Sequence, residues 1–365
     1  MSNRSFQGIL MLAVLITSTT APAVAGEWSE DTWLENIFGP ERLENGDEFG
    51  CHGYEEISTT DENWVIEACR DYVMQSTNAS RWGSAPISFG ISGSSLDEAT
   101  AQQLTSAGFL IVGDMISEAP EGLILAMRNG ASLEKGVANT SLIQSAEEDT
   151  LVSIYWRARI DDLRVREDKD AIAWLEEQPY WYTTWGEWNL HRLAGQSTTA
   201  ELYGSQITST SKTVNTWSVP GTILLQFDAE VSGVYNSSGE QYPEISTDVR
   251  KLEIGWRHVE GGILLTQAPE TTLTIELESE PETLLSTPMK TFNDHHHAVT
   301  IVGHHTTNLR QWTTDFVNSE LVFTWLIERP AGVEQSWFLP ALALTILIAT
   351  PLTIIYLIKK DAESH

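Results

Sequence analysis

A C-terminal apolar segment constrains this chain more than any other feature of its sequence. Trp337 to Ile358 runs for 22 residues without a charged side chain. As an α-helix it would extend roughly 33 Å at about 1.5 Å per residue, enough to cross the hydrocarbon core of a bilayer. Two lysines follow directly, and basic residues stay on the cytoplasmic side. The sequence therefore predicts a transmembrane helix at 337–358 and a cytoplasmic tail at 359–365.

The N-terminus carries a second apolar run of a different kind. Arg4 precedes Phe6 to Ile16, a run that is too short to span a bilayer. Ala23-Val24-Ala25 then supplies the small residues that signal peptidases cut. We expect a signal peptide at 1–25 and a single-pass type I protein of the cell membrane whose body is extracellular.

The charge of the chain excludes one class of partner. There are 51 acidic and 21 basic side chains, which give a formal net charge of −30. Neutralising nucleic-acid phosphates needs a basic surface, so direct nucleic-acid binding is excluded. The predicted partners are the membrane, through the C-terminal helix, and a surface protein or a glycan.

The chain has only two cysteines, Cys51 and Cys69. In an oxidising compartment their natural state is a disulfide, which stabilises by about 3 kcal/mol through loop closure. Metal ligation through Cys51-His52 is the alternative, but two cysteines without further ligands give a weak zinc signal. The sequence predicts the disulfide.

Three asparagines lie in N-x-Ser/Thr sequons, the acceptor pattern for N-glycosylation. The pattern places its loops at the surface if the host glycosylates. The three residues are Asn78, Asn139 and Asn236.

Hydrophobic periodicity divides the chain near residue 200. Before that point the pattern is mixed, with an amphipathic helix from Trp64 to Val73 and a β-α-β pattern over 87–112. Beyond it, apolar residues alternate with period two in six or seven short strands, the last at 321–327. We expect an α+β domain at 26–200 and a membrane-proximal β-sandwich, immunoglobulin-like or Greek key, at 201–336.

Histidines cluster in the segment from Asp294 to His305. In an extended chain His295 and His297 project from one face about 6.6 Å apart, a workable chelating pair for zinc or copper. Asp294 or His258 would supply a third ligand. Solvated histidines at a strand end explain the same pattern, so no cofactor is required.

An aromatic run provides a candidate binding surface, with carboxylates nearby that suit a sugar or protein ligand. Burial between a sheet and helices explains the run equally well. Its candidate ligand-contact residues are Tyr180, Trp181, Trp185 and Trp188.

No catalytic motif stands out, and no pair of Asp and Glu residues can be singled out from sequence, because carboxylate separation in space is not visible there. We expect a non-catalytic binding or envelope-structural protein of the cell surface. The alternatives are a metal-dependent ectoenzyme that uses His295 and His297, and an accessory subunit of a membrane complex.

Overall fold

Helices alternate with short strands in the first half of the chain, and antiparallel strands follow. The computed structural model describes residues 39–54, 57, 59, 62–132, 139–157, 169–212, 216–304, 319–329 and 338–363. The predicted signal peptide at 1–25 lies outside these residues. The chain forms two units, Met1–Arg329 and Pro330–His365.

The helices are short except for the last. They are α1 (Gly39–Asn45), α2 (Trp64–Ser76), α3 (Glu98–Ser106), α4 (Thr140–Gln144), α5 (Lys169–Glu177), α6 (Trp185–Ser197) and α7 (Phe338–Glu363). The strands that belong to the first half are β1 (Glu48–Tyr54), β2 (Ser88–Ile91), β3 (Ile111–Asp114), β4 (Ile124–Met127), β5 (Leu151–Arg157) and β6 (Trp181–Tyr182). Those that follow are β7 (Thr199–Tyr203), β8 (Gln206–Thr210), β9 (Gly221–Gln226), β10 (Val231–Asn236), β11 (Gly255–Val259), β12 (Gly262–Gln267), β13 (Thr272–Leu277), β14 (Leu285–Pro288), β15 (Ala298–His304) and β16 (Phe323–Arg329).

Eight parallel strands form one sheet that nearly closes into a barrel. Its order is β4-β3-β2-β1-β16-β15-β5, and β6 also pairs with β15. An isolated parallel bridge between Ser132 and Tyr155 links the chain after β4 to β5, which brings the two ends of the sheet together. Seven of these strands follow one another around the ring in chain order, as in a (β/α)8 barrel, whereas β6 pairs with β15 on the side of β16.

The N-terminal elements agree with their local sequence patterns. The amphipathic helix expected from Trp64 is α2, and its buried face contacts β1. The expected β-α-β segment is β2-α3-β3, and Asp97 caps the helix by accepting from the Thr100 N–H. The predicted disulfide between Cys51 and Cys69 is confirmed and joins β1 to α2.

A buried carboxylate fixes the junction between the first and last strands of the barrel. Asp47, directly before β1, accepts from Arg42 Nε at 2.5 Å and from the Trp325 indole Nε1 at 2.8 Å. It also accepts from the Phe323 backbone N–H at 3.2 Å. Because Asp47 and Arg42 are both buried, each of these charges depends on the other for compensation.

Eight antiparallel strands form two further sheets. One has the order β10-β13-β8-β7 and the other the order β11-β12-β9-β14. The two sheets share an apolar core that includes Ile207, Leu225, Trp256 and Ile275. Helix α6 connects them to the barrel, since its N-terminus contacts β16 and its C-terminal part packs on β9.

The expected fold, an α+β domain followed by a membrane-proximal β-sandwich, is wrong. Strands β15 and β16, which the period-two pattern assigned to the sandwich, lie between β1 and β5 in the parallel barrel. Successive residues of these strands, such as Ile301 with Val302 and Trp325 with Leu326, are buried on both faces. Such strands belong to a parallel sheet that is covered on both sides.

The predicted transmembrane helix at 337–358 is also wrong. Over the residues that the structure describes, no helix is both long and apolar enough to cross a membrane. This finding overturns the expected cell-membrane localisation, the type I orientation and the cytoplasmic tail at 359–365.

The Asp47 junction predicts a large loss of stability on a minimal substitution. Asp47→Asn removes the charge that compensates buried Arg42, and we expect the free energy of unfolding to fall by about 3–5 kcal/mol. Urea denaturation followed by circular dichroism measures this. The matched control is Asp71→Asn, because Asp71 is exposed and 3.6 Å from Arg70, and it should cost less than about 1 kcal/mol. Equal losses in the two variants would contradict the role of Asp47.

Candidate active site

Charged side chains from four strands meet at the C-terminal end of the barrel. His52 is near the end of β1, Asp114 ends β3, Arg128 directly follows β4, and Glu328 is near the end of β16. In barrels of this type the C-terminal ends of the strands carry the active site. This cluster is therefore the candidate active site.

His52 lies between two carboxylates. Its Nε2 is 3.1 Å from Asp114 Oδ2, and its Nδ1 is 3.3 Å from Glu328 Oε1. All three side chains are buried, with at most 7% of each exposed. Because the two contacts use opposite ring nitrogens, the carboxylate oxygens are no more than roughly 9 Å apart.

Two local distortions of the backbone aim these groups at one another. The ladder between β1 and β16 shifts register from Cys51↔Ile327 to Gly53↔Glu328, so His52 is the extra residue of a β-bulge. Asp114 has a φ of 79°, a left-handed conformation that non-glycine residues rarely adopt. Such strain persists where the surrounding structure imposes it, and it concentrates at functional sites.

Close approach of the backbone makes room for the imidazole ring. A Cβ on Gly90 of β2 would lie 2.5 Å from His52 Cδ2 and 2.6 Å from Leu326 Cδ1. No larger residue fits at this position without moving one of them. Glycine on β2 therefore lets the His52 ring lie within the barrel.

The two carboxylates keep His52 protonated. Burial opposes the charge, but the contacts with Asp114 and Glu328 outweigh it and raise the pKa of His52 to about 9. Arg128 Nη2 forms an ion pair with the other Asp114 oxygen, Oδ1. At neutral pH the cluster thus contains two cations and holds Asp114 between them.

Arg128 forms the outer side of the cluster. Its guanidinium carbon is 3.6 Å from the centroid of the Tyr155 ring, a cation–π contact. With 20% of its side chain exposed, it is more accessible than His52, Asp114 or Glu328. Arg128 and the half-buried Tyr155 are thus more accessible than the buried carboxylates.

Polar groups continue toward the opposite end of the barrel. The buried Glu48 carboxylate accepts from the Gly186 N–H at 2.7 Å and from the Ser88 hydroxyl. Burial raises the pKa of Glu48, and these two hydrogen bonds offset part of that rise. Trp185 donates from Nε1 to Ser153 Oγ at 2.9 Å, so the N-terminus of α6 fills this end of the barrel.

The predicted metal ligands lie away from this cluster. His295 Nε2 is 2.8 Å from the Val249 carbonyl, while Asp294 and His258 are exposed. His297 is buried against the Tyr180 ring, its Nδ1 is 3.1 Å from His296 Nδ1, and burial lowers its pKa to about 4. Within the described part of the chain no group of three or more His, Cys, Asp or Glu is arranged to hold a metal ion. The zinc or copper site stays a prediction.

The aromatic run proves to be interior. Only Trp181–Tyr182 forms a strand, and α6 begins at Trp185. Tyr180, Trp181, Trp185 and Trp188 are all buried, and the Trp181 ring is 5.5 Å from that of Trp188. Their assignment to a ligand stays a prediction.

The sequon asparagines differ in exposure. Asn78 and Asn139 are exposed, and Asn139 also caps α4 by accepting from the Leu142 N–H. Asn236 is half-buried, and its side chain organises the turn after β10.

No protein-family model, no curated protein and no solved structure matches this chain. The geometry of the cluster around His52 is therefore the basis for inferring a function.

The sequence patterns did not point to Asp114, Arg128 or Glu328, and they indicated His52 only as an alternative metal ligand. The sequence marks these residues only by their position, because each lies at or directly after the end of a short apolar strand. Examples are Asp114 at the end of Ile111–Asp114 and Glu328 near the end of Phe323–Arg329. That signal becomes specific only when the strands are known to be parallel neighbours in a barrel.

The cluster predicts a stability change at alkaline pH. The folded-state pKa of His52, about 9, is above the unfolded value of about 6.5, so its stabilisation is complete below pH 6.5. It is lost as the pH rises through 9. Relative to His52→Gln, the wild-type free energy of unfolding should fall by on the order of 3 kcal/mol between pH 6 and pH 10.

Urea denaturation at a series of pH values measures this difference. His191→Gln is the control, because burial lowers the pKa of His191 to about 4 and confines its own pH effect to acid. A constant difference between wild type and His52→Gln from pH 6 to pH 10 would refute the bridging role of His52.

Proposed function

We propose that this protein is a hydrolase that cleaves a glycosidic bond by acid–base chemistry, with Asp114 and Glu328 as its carboxylate pair. The observation that carries the proposal is the His52 bridge between two carboxylates from different strands at the C-terminal end of a parallel barrel. Glycoside hydrolysis uses a pair of carboxyl groups, one as acid and the other as base or nucleophile.

The contacts support different roles for the two carboxylates. Asp114 faces His52 through Oδ2 and Arg128 through Oδ1, and two neighbouring cations favour its ionised form. Asp114 is therefore the proposed base or nucleophile. Glu328 contacts one cation, with its Oε1 3.3 Å from His52 Nδ1, so its ionised form is favoured less than that of Asp114, and Glu328 is the proposed acid.

Tyr155 and Arg128 suit the substrate class. Aromatic faces and planar guanidinium groups both bind sugar rings and their hydroxyls, and these two side chains lie on the accessible side of the carboxylates. The binding role expected for the 180–188 run has no comparable support, because its aromatic side chains are buried.

The proposal predicts that the two carboxylates are required for hydrolysis. A panel of 4-nitrophenyl glycosides is the probe, and release of nitrophenol is measured. Asp114→Asn and Glu328→Gln should each lower kcat by about 10²- to 10⁴-fold on any glycoside that the wild type cleaves, since each removes an acid or base.

Circular dichroism at the assay temperature confirms that each variant is folded, and Asp71→Asn is the matched control that keeps the wild-type rate. Wild-type protein that cleaves no glycoside in the panel, or carboxamide variants that keep the wild-type rate, would overturn the proposal. Binding of a glycoside without cleavage would indicate a binding protein instead.

A further inference from the structure

The Cys51–Cys69 disulfide lies next to two residues of the candidate active site. Cys51 directly precedes His52 on β1, and its partner in the ladder is Ile327, which directly precedes Glu328. Cys69 Sγ is 3.8 Å from the Ile327 carbonyl oxygen. The disulfide therefore lies beside the backbone that carries His52 and Glu328, on the side of β1 that α2 covers.

Backbone pairing of β1 is irregular around His52. On one side the ladder with β16 is interrupted at His52 by the bulge. On the other side the described pairing of β1 with β2 consists of the single partner pair Cys51↔Phe89. The regular ladder is thus interrupted at His52, and it resumes at Gly53 with Glu328 as partner.

Helix α2 supports the bulge from outside. Gly53 has a φ of +100°, and a Cβ on it would lie 2.5 Å from Val65 Cγ1 on α2. The disulfide joins the same helix to Cys51, two residues earlier. Together the close packing at Gly53 and the covalent bond at Cys51 set the position of the residue between them.

We infer that the disulfide is a positioning device for the active site: it holds the β1 bulge so that His52 bridges Asp114 and Glu328, and its reduction releases His52 from that bridge. This inference rests on the proposed function and deepens it, because the residue that the disulfide positions contacts both proposed catalytic carboxylates. It also makes the activity sensitive to reduction.

The groups that face His52 define what its release would change. Asp114 approaches from β3 and Glu328 from β16, while Gly90 of β2 lies against the ring. Arg128 acts on His52 through Asp114. Without the bridge, the imidazole loses both carboxylate contacts and its pKa moves from about 9 toward the ordinary value of about 6.5.

Titration of the histidine rings by NMR tests the inference without any substrate. Spectra of the full-length protein are recorded from pH 5 to pH 10 in the oxidised form, after reduction with a phosphine, and for the double variant Cys51→Ala/Cys69→Ala. Because the chain has only two cysteines, a count of two free thiols verifies complete reduction. The resonances of His52 are assigned with His52→Gln.

His191 is the internal control, since it is buried on α6, hydrogen-bonded to the Pro220 carbonyl, and has its pKa lowered to about 4. We expect reduction and the double variant to lower the pKa of His52 by more than one unit, at least a tenfold change in its proton affinity, while His191 keeps its own. Any glycosidase activity should fall in parallel.

An unchanged His52 pKa in the reduced, folded protein would overturn the inference. A reduced protein in which His191 also returns to an ordinary pKa would overturn it as well, because the disulfide would then support the whole fold rather than one residue. The NMR outcome does not depend on hydrolysis, so failure of the proposed function would be seen separately in the glycoside assay.

Discussion

The parallel pairing of β1 with β16 is the contact on which the rest of this structure depends. It joins the first and last strands of the barrel, and it brings His52 beside Glu328. Backbone hydrogen bonds alone do not select this pairing over others. Asp47 does so at one end, where its buried carboxylate compensates Arg42 and receives donors from Phe323 and Trp325.

The same junction shows how stability and the candidate chemistry are divided along one strand pair. At the N-terminal end the charges are fully paired and buried, and they serve to fix register. At the C-terminal end a bulge interrupts the ladder. Asp114 of β3 has a left-handed backbone conformation there, and its carboxylate contacts the His52 imidazole. Barrel folds permit this division because the two ends of the strands are remote from each other.

The charge balance of the cluster contrasts with that of the whole chain. The chain as a whole has a net charge of −30, whereas the cluster pairs Asp114 and Glu328 with His52 and Arg128. The contacts with the two carboxylates outweigh the cost of burying the charged ring and keep a proton on the His52 imidazole at neutral pH. The cluster thus combines a protonated imidazole with two carboxylates, which are the groups that acid–base chemistry uses.

The sequence by itself determined the local elements: α2, the β2-α3-β3 unit, the alternating strands after residue 220 and the disulfide that joins two cysteines 18 positions apart. These features follow from periodicities and spacings within a short window, where backbone geometry leaves few choices. The partners of the strands were decided only by the tertiary structure. Asp47 and Phe323 are 276 positions apart, and no periodic pattern specifies which of many apolar strands pairs with β1. His52, Asp114 and Glu328 were inconspicuous in the sequence because their chemistry arises from a proximity that the parallel pairing of β3, β2, β1 and β16 creates.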